Sequence, residues 1–283
     1  MISPLYGEGR RSFFRVLLLA GLVLLVVKWL AATPSLTVAT FNIEEFPQSD
    51  EQVAGAFEAI AETGVQVVAV QEIIGPERFR HAARKRLEGD WRAVFPDQSP
   101  ETRPGVLFDR NRFTLEATYT HEETVVYEGA RPVFEVELTG DGGTELEVFV
   151  VHLKAGSHGL PVRREQHGAL VEILGHHQNG DRRTIVLGDF NSTEPQDREL
   201  LAGISEGSSL RWLSRRTGCT GYWIPEESCR SFTLDHVFAD GLGAKALSRG
   251  PCERVGCDPG RQCPIFHERV SDHCPVTVQL VPK

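Results

Sequence analysis

The chain has 283 residues, 41% of them hydrophobic, enough for one large core; roughly 250 residues is an ordinary size for a single α/β domain. Its 30 Lys and Arg against 39 Asp and Glu leave a net charge of −9. That excludes a protein that holds nucleic acid by bulk positive charge, but not an enzyme that grips phosphate through metal ions.

At the amino end, Arg10, Arg11 and Arg15 precede twelve apolar residues, VLLLAGLVLLVV at 16–27, and Lys28 and Trp29 follow. Twelve residues fall short of ~30 Å of hydrocarbon and match a signal-peptide core. With Lys28 snorkelling and Trp29 at the interface, however, residues 13–32 reach spanning length. Trp29 and Leu30 sit where a cleavage site at Ala31 or Ala32 needs small residues, which favours an uncleaved anchor. Residues 1–35 are therefore expected to be a membrane anchor or signal peptide, with residues 36–283 exported as one domain. Without that segment the domain holds 26 basic against 38 acidic residues.

Along the exported part, strand-like runs repeatedly end in polar residues. SLTVATFNIEEF ends at Asn42 and Glu44, VQVVAVQEI at Gln71 and Glu72, and ELEVFVVHLKAG at His152 and Lys154. RRTIVLGDFNST carries Ile185, Val186 and Leu187 into Gly188, Asp189 and Asn191. SFTLDHVF places Asp235 and His236 within an apolar stretch, and RVSDHCPVTVQL sets Asp272 and His273 before a last strand. Helical spacing at 51–62, 77–88 and 162–177 falls between these strands. A single Asp–Asn strand end reads equally well as an Asx turn; six polar strand ends do not arise independently. His236 reads as a core histidine, and His176 and His177 as surface residues at a helix end.

The oxygen donors Asn42, Glu72, Asp189, Asn191 and Asp272 are the hard ligands that Mg²⁺ or Mn²⁺ prefers. A divalent ion polarises a phosphoryl oxygen and stabilises a leaving oxygen, while His152 and His273 offer proton transfer near neutral pH. This combination points to hydrolysis of a phosphate ester.

All six cysteines, Cys219, Cys229, Cys252, Cys257, Cys263 and Cys274, lie in the last quarter. An even number in an exported chain reads as disulfides, and the spacings C-x4-C and C-x5-C lack the tight pair of most zinc sites. Cys219 with Cys229 is the expected local pair; the other four allow three pairings.

The ordered series TFNIEEF, QE, VHLKAG, GDFNS, LDHVF and SDHCPV resembles the motif series of the endonuclease/exonuclease/phosphatase superfamily, the DNase I-like fold, across residues 36–283. The resemblance implies an α/β four-layer sandwich: two mixed, mostly antiparallel sheets packed face to face, helices outside, and the site at one rim. It implies Glu72 as the principal ligand of Mg²⁺ or Mn²⁺, with Asn42 beside it and Asp272 as a further ligand. Asp189 and Asn191 would hold the attacking water and the scissile phosphate. His273, oriented by Asp235, would stabilise the transition-state charge or shuttle a proton, and His152 would contact the phosphate from the opposite side.

A histidine at 152, where abasic-site endonucleases of the superfamily carry Tyr-x-Pro-Asn, resembles DNase I-like nucleases, sphingomyelinases and inositol-phosphate phosphatases. Arg78 and Arg80, just past Glu72, and Arg163, shortly after His152, are candidate contacts to a nucleic-acid backbone, although such runs also form plain solvated helix faces. The expected activity is that of an extracytoplasmic, metal-dependent nuclease acting on DNA or RNA. The alternative is a phosphoesterase acting on phospholipid head groups or small phosphate esters, which the anchor favours and the lack of an evident exposed aromatic hairpin disfavours. A monomer without a protein partner is expected, attached to the membrane through its amino-terminal segment.

Overall fold

The computed structural model describes residues 36–97, 101–177, 180, 182–224, 228–241, 243 and 245–281. The anchor or signal segment read at 1–35 lies outside them. Among the described residues no helix is long and apolar enough to cross a membrane.

In chain order the elements are β1 (Leu36–Phe46), α1 (Asp50–Thr63), β2 (Val67–Ile73), α2 (Pro76–Arg86), β3 (Trp91–Val94), β4 (Arg103–Asp109), β5 (Phe113–His121), β6 (Val133–Gly140) and β7 (Glu145–His152). After them come α3 (Leu160–His177), β8 (Arg183–Asp189), α4 (Asp197–Gly207), β9 (Arg211–Trp212), β10 (Gly221–Trp223), β11 (Arg230–Phe232), β12 (Asp235–Ala239), β13 (Leu247–Ser248), α5 (Pro251–Arg254), α6 (Ile265–Arg269) and β14 (Val276–Leu280). The helices expected at 51–62, 77–88 and 162–177 are present within two residues. Helix α4 had not been anticipated.

Two mixed six-stranded sheets form, ordered β13-β14-β1-β2-β4-β3 and β5-β6-β7-β8-β12-β9, with β10 and β11 as a separate hairpin. The pairs β1–β2 and β7–β8 are parallel, and the other pairs are antiparallel. Three apolar layers explain why the central strands read as unbroken hydrophobic runs. One layer lies between the sheets, joining Val38, Val67 and Val276 to Val148, Ile185 and Val237. A second buries Phe41 and Val70 under α1 and α2 through Phe57 and Phe79. The third buries Phe149 and Val186 under α3 and α4 through Leu170 and Ile204. Two sheets between two helical layers give the DNase I-like α/β sandwich that the motif series implies.

The period of two along each strand positions the site. On the inter-sheet face β1 runs Leu36, Val38, Thr40, Asn42; β7 runs Leu146, Val148, Val150, His152; and β8 runs Ile185, Leu187, Asp189. Antiparallel β12 enters at Asp235 and continues into Val237 and Ala239. The inner rows are apolar until the rim, where buried polar residues replace the aliphatic ones, at the last position of β7 and β8 and at the last two of β1. Thr40 Oγ1 donating to Gln71 Oε1 at 3.2 Å marks that change on the first sheet.

Cysteine pairing differs from the expectation. The bonds are Cys219–Cys257, Cys229–Cys263 and Cys252–Cys274. Cys219 precedes the β10–β11 hairpin and Cys229 lies in its connecting loop, the register pairing Gly221 with Phe232 and Trp223 with Arg230. Cys229 is therefore at the loop end of the hairpin and Cys219 at its open end, and each reaches instead to the 252–263 segment. Loops of 22 to 38 residues closed in this way each stabilise the fold by about 3–4 kcal/mol. Two of the bonds end beside rim residues, since Cys219 precedes Thr220 and Cys274 follows His273.

Candidate active site

Strand register brings the rim together. Asp189 stands opposite His152 on β7 and opposite Asp235 on β12. Gly188 makes this approach feasible: its φ is +150°, and a Cβ there would lie 1.9 Å from the Val151 carbonyl oxygen. The glycine of GDFN is thus a requirement of close strand packing as well as of the exit turn.

Across the sheets, Asn42 Nδ2 donates to Asp189 Oδ2 at 3.1 Å and to Glu72 Oε1 at 3.0 Å. By strand period Glu72 belongs on the helix-facing side of β2, after Gln71. Its φ of +63°, at an irregularity in the pairing with β4, turns the carboxylate toward Asn42 instead. A left-handed conformation at a non-glycine residue costs of order 1 kcal/mol and marks a functional constraint. Glu44 and Glu45, at φ of 37° and 50°, share this geometry. Glu45 N donates to Glu72 Oε2 at 3.2 Å, and Asp272 N donates to Glu44 Oε2 at 3.1 Å. Asn191, at φ 48°, donates its amide to Leu153 O and to Asp189 Oδ2, both at 3.1 Å, and its backbone N–H to Asp189 Oδ1 at 2.8 Å.

The two histidines are in different states. His273 Nδ1 bonds Asp235 Oδ2 at 2.8 Å, and its Nε2 lies 3.7 Å from Asp189 and 3.8 Å from Asp272. Burial alone would lower its pKa, but Asp235, Asp272 and Asp189 override that and hold it well above the usual histidine value. His152 Nε2 is 3.5 Å from Glu72 and 3.6 Å from Asp189. Burial, then the charges of Arg131 and His273, keep its pKa well below the usual value. At neutral pH one imidazole is cationic and the other neutral.

Carboxylates crowd the remainder. Burial, followed by the charge of Asp272, pushes the Glu44 carboxyl up to about 7. Burial raises Asp272, opposed by His273 and reinforced by Glu72. Burial also raises Asp189 to about 7, opposed by His273 and reinforced by Asp235. Glu44, Glu72 and Asp272 thus present hard oxygens with excess negative charge, a donor set that fits a divalent cation of the Mg²⁺ or Mn²⁺ kind.

Several supporting residues had no signal in the sequence. Thr220 Oγ1 donates to Asp235 Oδ2 at 2.7 Å and accepts from the backbone N–H groups of Leu234 and Asp235. Ser271 Oγ donates to Asn42 O at 2.7 Å and accepts from His273 N at 3.0 Å. Glu44 was visible as a strand end but carried no assigned role. His236 is the core histidine expected, between Ser192 Oγ at 2.8 Å and Ser214 Oγ at 3.2 Å.

The arginines need correction. Arg163 is wholly buried. It bonds both Asp197 oxygens, at 2.8 and 2.6 Å, and donates to Lys154 O, Gly156 O and Thr193 Oγ1. All its donors are occupied, so it braces the loops after β7 and β8 and has none left for substrate. Arg78 and Arg80 lie in the first turns of α2. Arg78 pairs with Asp50, and Arg80 pairs with Glu77, donates to Ala93 O and lies over the Phe95 ring. An exposed aromatic hairpin, unforeseen in the sequence, does exist. Trp223 on β10 is 56% exposed, two residues beyond Gly221, which pairs with His273.

A family model described as Endonuclease/Exonuclease/phosphatase family matches residues 39–273. No curated protein matches the chain in sequence. Among solved structures, D. rerio TDP2 complexed with a single-strand DNA product superposes with TM-score 0.66 at 13% identity, covering 87% of this chain and 98% of that one. The human Nocturnin catalytic domain with bound sulfate gives 0.65 at 20%, covering 87% and 94%. The Bacteroides thetaiotaomicron mannosyl-6-phosphatase gives 0.62 at 17%, covering 86% and 98%. At these identities the likeness is one of fold.

Proposed function

Because the chain belongs to the endonuclease/exonuclease/phosphatase family and so is a metal-dependent phosphoric ester hydrolase, we propose that it is a nuclease cutting phosphodiester bonds outside the cytoplasm. The observation that carries this reading is the placement of two histidines against one carboxylate oxygen, His152 Nε2 at 3.6 Å and His273 Nε2 at 3.7 Å from Asp189 Oδ2.

In this reading Glu72 and Asp272 hold the divalent ion, and Asn42 locks the Glu72 carboxylate in place. When bound, the ion polarises a phosphoryl oxygen and offsets charge on the leaving oxygen. Asp189, fixed by three donors from Asn42 and Asn191 and raised toward neutrality, takes a proton from the attacking water. His273 donates Nδ1–H to Asp235, and because the surrounding carboxylates hold its pKa up it carries a second proton at Nε2, which stabilises the charge that develops on the phosphoryl oxygens. Neutral His152 positions the phosphate, while the Asn191 amide, with both donors committed to Leu153 O and Asp189 Oδ2, positions Asp189. Trp223, two residues along β10 from the Gly221 that pairs with His273, offers a surface on which an unpaired base can stack. Three disulfides support an oxidising compartment, with residues 1–35 as anchor or signal and residues 36–283 as the exported domain.

A second reading, a phosphodiesterase acting on phospholipid head groups, is favoured by Trp223 together with the adjoining Ile224, 44% exposed. One experiment separates the two: the oxidised protein with Mg²⁺, Mn²⁺ or EDTA is offered plasmid DNA, RNA and phospholipid vesicles, beside a His273→Ala control. Metal-dependent nicking that the control lacks supports the nuclease. Intact nucleic acid with released phosphorylated head group would replace it with the lipid reading.

A further inference from the structure

Back from the rim along the second sheet, a second group of ionisable residues is collected on the outer face of β6 and β7 under the end of α3. Period two places Glu135 and Glu147 on this face, each in register with a residue of the same side: Glu135 with Phe149, and Glu147 with Thr184. The last residue of α3, His177, descends onto them. One donor atom each from Glu135, Glu147 and His177 lie within 4.8 Å of one another. His177 Nδ1 is 3.3 Å from Glu147 Oε2, and the Phe149 ring stands edge-on to the His177 imidazole with centroids 5.1 Å apart.

Two further contacts arrange the carboxylates from behind. His121, the last residue of β5, bonds Glu135 Oε2 through Nε2 at 2.8 Å and is itself held through Nδ1 by Glu123 Oε1 at 3.1 Å. Thr184 Oγ1 donates to Glu147 Oε2 at 3.1 Å. Glu135 is 1% exposed, yet its second oxygen, Oε1, has no hydrogen-bond partner among the described residues. A buried carboxylate oxygen left unpaired costs roughly 1–3 kcal/mol or more, and this one belongs to a side chain that shares a cluster of potential ligands with Glu147 and His177.

We propose that Glu135, Glu147 and His177 form a binding site for a structural zinc ion, separate from the rim site. Mixed imidazole and carboxylate donors suit zinc and disfavour Mg²⁺ and Ca²⁺, which take oxygen alone. Zinc ligands about 2.0–2.2 Å from the ion stand about 3.3 Å from one another, within small side-chain rotations of the observed spacing. His121 and Thr184 act as the outer partners that ligating carboxylates require. His177 lines a cavity of about 390 Å³ together with His121, Glu123, Glu172 and His176, through which the ion and a water would enter. The α3 C-terminus also favours a cation. The ion would tie β6 and β7 to the end of α3, and the site stands whatever the rim's substrate.

The test is zinc titration of the oxidised full chain, stripped with chelator, beside His177→Asn. His177 is partly exposed, so this variant should fold. The wild type is expected to take up one more zinc per chain than the variant. Its Tm should rise by about 5–10 °C at zinc near a hundred times Kd, a gain the variant lacks. Equal stoichiometry and equal Tm shifts would overturn the proposal. Cobalt(II) provides a readout that needs no variant: a strong tetrahedral visible band in the wild type supports the site, and only weak octahedral absorption refutes it.

Discussion

Two buried polar regions lie a few residues apart along the same strands and loops and have opposite electrostatics. At the rim, Glu44, Glu72, Asp189, Asp235 and Asp272 face one cationic histidine, and burial with mutual repulsion raises Glu44, Asp189 and Asp272. Beneath α3 and α4, Arg163 and Asp197 saturate each other. Burial there holds His167 near 4 and His236 near 3, so both are neutral. The second region is wired for support, with its buried charges matched. The first keeps an excess of negative charge, which costs stability and which a divalent ion and a phosphate can use. Burial of polar groups therefore does not identify a site; uncompensated charge among them does.

The sharpest way to break this contrast is Asp189→Asn. Turnover should fall at least ~10³-fold, as expected for loss of a positioned base, while thermal unfolding shows a fold as stable as the wild type or more so. An active, folded variant would remove Asp189 from the chemistry. Next, Arg163→Met should leave Asp197 buried without its partner and cost about 3–5 kcal/mol in denaturant unfolding, with KM of the surviving folded enzyme little changed. A raised KM at unaltered stability would instead return Arg163 to the substrate.

The two regions should also titrate with opposite sign, measured in chelator so that no metal intervenes. Asp189 has a folded pKa near 7 against 3.8 unfolded, so the native state binds the extra proton and its contribution to stability is lost as pH rises through that window. His236 has a folded pKa near 3 against 6.5, so the unfolded state binds the extra proton and stability is lost as pH falls below 6.5. Each contributes up to about 1.4 kcal/mol per pH unit. Between pH 4 and 6.5, Asp189→Asn should make stability climb more steeply with pH, and His236→Asn should flatten it. Slopes that move in the same direction would refute the distinction. The smallest effect is expected from Thr220→Val, which removes a donor to Asp235 and the acceptor for two backbone N–H groups. A loss of about 1–3 kcal/mol should accompany a roughly tenfold fall in kcat, and a change in stability alone would make Thr220 purely structural.

Much of this was legible in the chain. Asn42, His152 and Asp189 each sit at the end of a period-two apolar row, and such a row predicts both the strand and the face its last residue shares with the core. The arginines were not legible in the same way. Arg163 has the same local spacing whether it faces solvent or Asp197, which lies 34 residues on. Likewise Cys219 is near Cys229 in sequence, but hairpin register and the 252–263 segment choose its partner.

By itself the sequence determined the strands, three of the helices that cover them, the reaction class and the polar residues that end the inner rows, because periodicity and residue chemistry are local properties of the chain; the packing of the strands into two sheets was implied only by the family resemblance. Only the tertiary structure decided which imidazole is charged, why Glu72 turns inward against its strand period, which residues brace Asp235, which arginine is sealed and how the six cysteines pair. Those outcomes depend on distances between residues remote in sequence and on the burial that makes their charges interact strongly.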